Sequence, residues 1–183
     1  MGNDALFAAY EPRDRHPSWA GTVRPAQEGD LDGVAGLSFA RDGGEPGDRR
    51  ERLRRHVGST SSALFVAVAE NAVVGYGLVL PLTFGDATAP DGLYLGGVVV
   101  DPGWRRRGIA DALTAARITW AWERIDTVWY FANQRNRASI DLHRGHGFVE
   151  HTRDFAIPGV TFDNGTGTGV LFRLDRIDAR SSG

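Results

Sequence analysis

The sequence contains no cysteine, so a disulfide framework, a thiolate metal site and a sulfur nucleophile are all excluded. Long apolar runs are missing too: nothing reaches the roughly 20 residues of a membrane-spanning helix. Residues 1–20 carry Asp4, Glu11, Arg13, Asp14, Arg15 and His16 where a secretion signal needs an apolar segment. The expectation is a cytoplasmic protein without a membrane partner. An excess of one charge is also lacking, since 21 basic against 23 acidic side chains leave a net charge of -2. Broad attraction to nucleic acid is not expected from that balance, and any anion site must be local.

What is present suits one domain, because 183 residues with 42% hydrophobic content can bury one continuous core. Residues 1–20 mix charge, Pro12 and Pro17 without a period and read as an arm; residues 177–183 read as a tail. The domain then spans 21–176. Gly21 to Ala26 predicts a short edge strand, since Pro25 cannot donate inside a central ladder. Leu31, Val34, Ala35 and Leu37 recur at helical spacing, Arg41 to Gly47 reads as a loop, and Asp48 to Val57 predicts a second helix with Leu53 and Val57 inward.

Ala63–Ala69 and Val73–Leu80 are β-rich runs joined by the turn-forming Glu70 and Asn71, which predicts an antiparallel hairpin. A loop from Pro81 to Gly92 leads to a strand over Leu93–Val100. Gly96 and Gly97 inside that strand mark a bulge or a close backbone approach, although relief of packing would also account for them. From Ile109 the period becomes helical, with Ala112, Leu113, Ala116 and Trp120 on the same face. Thr127–Ala132 predicts a buried strand, Asn136–His146 a helix ended by Gly147, and Phe148–Ile157 and Thr168–Leu174 the closing strands. Trp120, Trp122 and the closing strands offer surfaces for a homodimer.

The segment richest in chemistry is Val98-Val99-Val100-Asp101-Pro102-Gly103-Trp104-Arg105-Arg106-Arg107-Gly108-Ile109-Ala110. A strand that turns directly into a helix leaves about four N–H groups unpartnered at the helix start. Those groups and the positive end of the helix dipole favour phosphate. Arg105 to Arg107 alone would read as a solvated charge run, and it is the strand–turn–helix context that favours an anion site. No Gly-Lys-Ser/Thr follows, which excludes a P-loop, and no early Gly-x-Gly-x-x-Gly supports a dinucleotide fold.

At these residues the chain resembles the GNAT superfamily of N-acetyltransferases, whose pyrophosphate loop reads Gln/Arg-x-x-Gly-x-Gly/Ala after a strand; Arg105, Gly108 and Ala110 match. A second block, Asn136 to Phe148, is similar to the family's Asn-x-x-Ala/Ser-x-x-Leu-Tyr-x-x-x-Gly-Phe. The resemblance runs from Ala63 to Leu174 and extends to residues 1–62 only in element order. It implies an α/β fold: a mixed, mostly antiparallel sheet of six to seven strands, flanked by about four helices and splayed where the cosubstrate lies.

It further implies an acetyl-CoA-dependent N-acetyltransferase acting on an amine, small molecule or peptide, with no metal. Val98, Val99, Val100, Arg105, Arg106, Arg107, Gly108, Ile109, Ala110, Asn133, Asn136 and Ser139 would bind the coenzyme, and the backbone of Val98 or Val100 would contact the oxyanion. Asn136 is equally a helix N-cap.

His143 stands where the family has a tyrosine that donates a proton to the departing thiolate. Histidine can act as an acid near neutral pH, or it can be a structural polar residue, and His146 lies one turn on. Loss of the tyrosine leaves open a non-catalytic acyl-CoA sensor. No residue is marked as the general base; Glu45, Asp86 and Asp91 are loop carboxylates that could border an acceptor cleft.

Overall fold

The computed structural model describes residues 18–42, 46–85, 88–165 and 167–176. Their order is β1 (Thr22–Pro25), α1 (Leu31–Asp42), α2 (Pro46–Arg54), β2 (Ala63–Ala69), β3 (Ala72–Leu82), β4 (Gly92–Val100), α3 (Ile109–Trp122), β5 (Thr127–Asn133), α4 (Arg137–Gly145), β6 (Val149–Thr152) and β7 (Gly169–Asp175). The strands form one seven-stranded sheet in the order β1-β2-β3-β4-β5-β7-β6. Only β4 and β5 run parallel; the other neighbours are antiparallel. The expected mixed, mostly antiparallel sheet with four helices is therefore what the described residues form.

Local chemistry sets the connections. The β2–β3 turn places Glu70 and Asn71 at φ 50° and 62°, as a tight hairpin requires. Pro25 sits at the sheet edge, where its missing N–H leaves no ladder bond unmade. One face of the sheet carries the largest cluster, in which Phe65, Val79, Leu95, Ile109, Leu113, Tyr130 and Phe172 are buried. On the other face Leu31, Val34 and Leu53 of the first two helices pack on Leu64, Val66, Tyr76 and Val99. A third group, Tyr94, Trp129 and Leu171, is extended by Phe84, Phe131 and Phe155.

Two boundaries and one helix face differ notably from the sequence expectation. The second helix runs Pro46–Arg54, earlier than predicted, with proline in the first turn, where it has no intrahelical N–H bond to lose. Part of the predicted loop before it, residues 43–45, lies outside the described residues. The strand expected over Phe148–Ile157 stops at Thr152, whose hydroxyl accepts from the Asp154 N–H at 3.0 Å and turns the chain away. The inward face of α3 is Ile109, Leu113, Thr114, Arg117, Ile118 and Ala121, whereas Ala112, Ala116 and Trp120 are only half-buried. An arginine in that stripe was not foreseen.

The sheet splits at its centre. β4 and β5 pair only through Leu93–Val128 and Tyr94–Trp129. Beyond those two pairs the strands diverge, so Leu95–Val100 and Tyr130–Asn133 carry no ladder bonds to one another. On the other side of β4, Val79 pairs with Leu95 but Gly77 pairs with Val98. Leu78 thus opposes both Gly96 and Gly97, a bulge at the paired glycines.

Candidate functional site

The split opens onto the start of α3. Asp101 leaves β4 by donating its N–H to the Val74 carbonyl at 2.9 Å, and its carboxylate accepts from the Gly103 N–H at 2.8 Å. Arg106 then adopts φ 63° and Gly108 φ 87°, two left-handed residues that turn the chain into the helix. Gly108 is the N-cap, and no side chain caps the helix there. Among the described residues no backbone carbonyl accepts from the N–H of Arg107, Gly108, Ile109, Ala110 or Asp111. A Cβ built on Gly108 meets nothing within 4 Å, so the space over these amides is open. An uncapped helix start with clear space before it can receive a diphosphate.

The two outer arginines of the triplet differ. Arg105 is exposed and donates its Nε–H to the Val100 carbonyl at 3.3 Å. Arg107 is half-buried, its guanidinium 5.4 Å from the centre of the Trp104 ring, and its buried Nε has no hydrogen-bond partner. Ile109 is buried in the core and can offer a ligand only its backbone, as can Val99, whose side chain packs with Val34 and Val66 on the opposite face. Val98, Val100 and Ala110 are half-buried beside the cleft.

The far side of the split is formed by β5 and α4. Asn133 ends β5 and accepts from the Arg135 N–H at 2.9 Å; Asn136 caps α4 by accepting from the Ser139 N–H at 3.2 Å. The Ser139 hydroxyl accepts from the Tyr130 hydroxyl at 2.7 Å. Both asparagines thus use their oxygen to terminate secondary structure, and their amide groups remain as donors for a ligand.

His143 is 1% exposed and stacks on Tyr130 with ring centres 3.6 Å apart. Its Nδ1 lies 2.8 Å from the Ser139 carbonyl, which can only accept, so that nitrogen carries the ring proton. Nε2 is consequently a lone pair, and it is buried without a partner. Burial, aided by the positive charge of Arg117, pushes the His143 pKa down to about 3. The imidazole is therefore neutral at physiological pH and has no second proton to donate. The same burial holds the Tyr130 phenol above its ordinary range. His146 lies 3.0 Å from the Asp111 carboxylate but at an angle that makes no hydrogen bond.

Of the carboxylates singled out as candidate bases, Asp91 accepts from the Phe84 N–H at 2.7 Å and closes its own loop. Glu45 and Asp86 lie outside the described residues. Among those that are described, no group of three or more His, Cys, Asp or Glu is placed to hold a metal ion, and no helix is long and apolar enough to cross a membrane. Tyr130 and Arg117 were missed at the sequence level. A period of four through Leu113, Arg117 and Ala121 was the available signal for the second.

Comparison with known proteins agrees with this architecture. A family model described as the acetyltransferase (GNAT) family matches residues 31–148. Among solved structures, yncA, a putative acetyltransferase from Salmonella typhimurium with its cofactor acetyl-CoA, superposes with a TM-score of 0.68 at 16% identity, covering 90% of this chain and 98% of its own. A GNAT acetyltransferase from Bacillus cereus gives 0.68 at 16% identity over 87% and 99% of the two chains. The ribosomal-protein-alanine N-acetyltransferase of Brucella melitensis gives 0.67 at 23% identity over 84% and 99%. No curated protein matches at a significant level. Identities this low speak to the fold and leave the acceptor unassigned.

Proposed function

The chain belongs to the GNAT acetyltransferase family, acetyl-CoA-dependent acyltransferases, and from that premise we propose that it passes an acetyl or other short acyl group from CoA to a primary amine by direct attack in a ternary complex. The observation that carries this reading is the uncapped start of α3 opening beside the split between β4 and β5. Amides from Arg107 to Asp111 would hold the diphosphate, with Arg105 adding charge from the rim. The pantetheine arm would lie along the unpaired edges of β4 and β5, within reach of the amide groups of Asn133 and Asn136.

In the transfer, the neutral amine nitrogen attacks the thioester carbonyl carbon and a C–N bond forms as the C–S bond breaks. Sulfur leaves with the bonding pair, and the ammonium proton passes to water or to a carboxylate. Backbone N–H groups at the β4 bulge, Val98 among them, would stabilise the oxyanion that develops. A thiolate is a modest base, with thiols near pKa ~8.5, so its departure at neutral pH makes little demand for an acid. Neutral and buried, His143 is therefore not the proton donor in this reading.

Calorimetry with acetyl-CoA, followed by release of free CoA thiol with a panel of primary amines, tests the reading. We expect binding, and turnover with at least one acceptor. A folded protein that binds no acetyl-CoA would exclude it, and binding without turnover across the panel would favour an acyl-CoA sensor.

A further inference from the structure

The phosphate-binding reading makes no use of the one arginine that α3 buries. Arg117 is 0% exposed. Its Nε donates to the Leu113 carbonyl at 3.2 Å, Nη2 to the Thr114 hydroxyl at 3.0 Å, and Nη1 to the carbonyls of Gly96 at 2.8 Å and Leu78 at 3.3 Å. No carboxylate of the described residues pairs with it. Burial without a counter-charge lowers its pKa to about 10, a sign of how unfavourable the setting is for a cation. An apolar side chain of similar volume would serve the core at least as well, since isolated buried charges cost stability that packing alone does not demand. Only a glycine leaves room for it: a Cβ on Gly77 would stand 2.9 Å from the guanidinium Nε.

The two carbonyls it reaches have a particular position. Leu78 is the β3 residue that faces two residues of β4, and Gly96 is the first of those two. The peptide unit whose oxygen Arg117 holds is the one that carries the N–H of Gly97. A cation on a peptide oxygen polarises the whole unit and strengthens its N–H as a donor. Beyond this bulge β4 has no partner on its β5 side.

We propose that Arg117 is a positioning residue for acyl transfer: it pins the Gly96–Gly97 bulge by the inward carbonyl and polarises that peptide, so the Gly97 amide meets the thioester carbonyl as a strengthened donor. The inference rests on the acyltransferase reading above. It explains why a charge without a carboxylate is retained under the sheet, and why β3 has glycine opposite it.

Arg117→Met, Arg117→Lys and Gly77→Ala test it together. Arg117→Met keeps the volume and removes the charge, so Tm should stay level or rise and acetyl-CoA affinity should hold. Its kcat should fall by about tenfold or more while KM for the amine changes little, the pattern of an interaction made in the transition state. Arg117→Lys should recover part of the lost kcat, and Gly77→Ala, which displaces the guanidinium but keeps its charge, should lower kcat in the same way. Independently of activity, the Gly97 amide proton in an NMR spectrum should shift upfield in Arg117→Met. A folded Arg117→Met that retains kcat, or whose Gly97 resonance stays in place, overturns the proposal. Should Arg117→Met fail to fold, Gly77→Ala with unchanged kcat and an unmoved Gly97 resonance overturns it instead. Wild-type protein that neither binds nor turns over acetyl-CoA sinks the acyltransferase reading, and the Gly97 resonance then still decides whether Arg117 pins the bulge.

Discussion

At one end of the split between β4 and β5 the chain meets solvent: Arg105 and Gly108 are exposed, and the proposed diphosphate seat consists of backbone amides at the uncapped start of α3. At the other end Arg117, His143 and Tyr130 are 0%, 1% and 5% exposed; Arg117 and Tyr130 bond within the protein, and His143 does so through Nδ1 alone. In the proposed reading the first end would bind with groups that every residue possesses, so its identity lies in conformation. The second works with side chains sealed from water, so its identity lies in packing. Substitutions at the two ends should therefore fail differently, the first in affinity and the second in rate or in pH dependence of stability.

The largest effect is expected at the solvent end. Gly108→Glu forces a side chain onto a residue at φ 87° and fills the open space over the amides with a negative charge. Charge-assisted hydrogen bonds to several phosphate oxygens are lost together, so acetyl-CoA affinity should drop by about 1,000-fold or more, about 4 kcal/mol. Gly108→Ala separates the causes. It bears the conformational cost of about 1–2 kcal/mol in stability, but should lose far less affinity. Equal losses in calorimetry would mean that conformation, not the anion seat, governs binding at this end.

The same division explains what could be read in the sequence. The strand–turn–helix unit proposed as the anion seat was legible because a valine-rich strand, a short turn with Gly108 and an amphipathic helix are all local patterns, and the hairpin was legible from Glu70 and Asn71 for the same reason. The bulge at Gly96 and Gly97 was legible as well, since paired glycines stand out in a strand. The period through Leu113 and Ala121 could have placed Arg117 inward, but its role was not legible, because its partners Leu78 and Gly96 lie 39 and 21 residues away. Tyr130 resembled any aromatic in a buried strand until α4 brought Ser139 to its hydroxyl. The end of β6 was misplaced because Thr152 and Asp154 make a turn that side-chain pattern alone does not reveal.

A middle-sized effect should mark the sealed end. His143 has its pKa lowered to about 3 from an ordinary 6.5 by burial, with Arg117 and His146 adding positive charge around it and Tyr130 covering its face. Because the folded value lies below the unfolded one, the unfolded chain takes up the proton first. Stability from this residue is complete above pH 6.5 and declines as pH falls toward 3. At 1.36 kcal/mol per unit the loss reaches about 3 kcal/mol by pH 4. Urea unfolding of His143→Phe, which keeps the stack on Tyr130, should show a shallower decline between pH 7 and pH 4. The remaining slope would include His56, also lowered by burial. An unchanged slope would mean that His143 is charged in the folded protein, and the general-acid role would return.

The smallest effect sharpens the boundary between the two ends, at Asn136. Its oxygen caps α4 through the Ser139 N–H, so Asn136→Ala should cost about 1 kcal/mol of stability. Asn136→Asp retains the accepting oxygen and should unfold like wild type, but it replaces the amide donor with a carboxylate. If that donor serves the coenzyme, Asn136→Asp should weaken acetyl-CoA binding by about tenfold, the worth of one hydrogen bond, with Tm unchanged. Were affinity to follow Tm across both variants, Asn136 would be a cap alone, and the coenzyme's contacts on this side of the split would shift to Asn133.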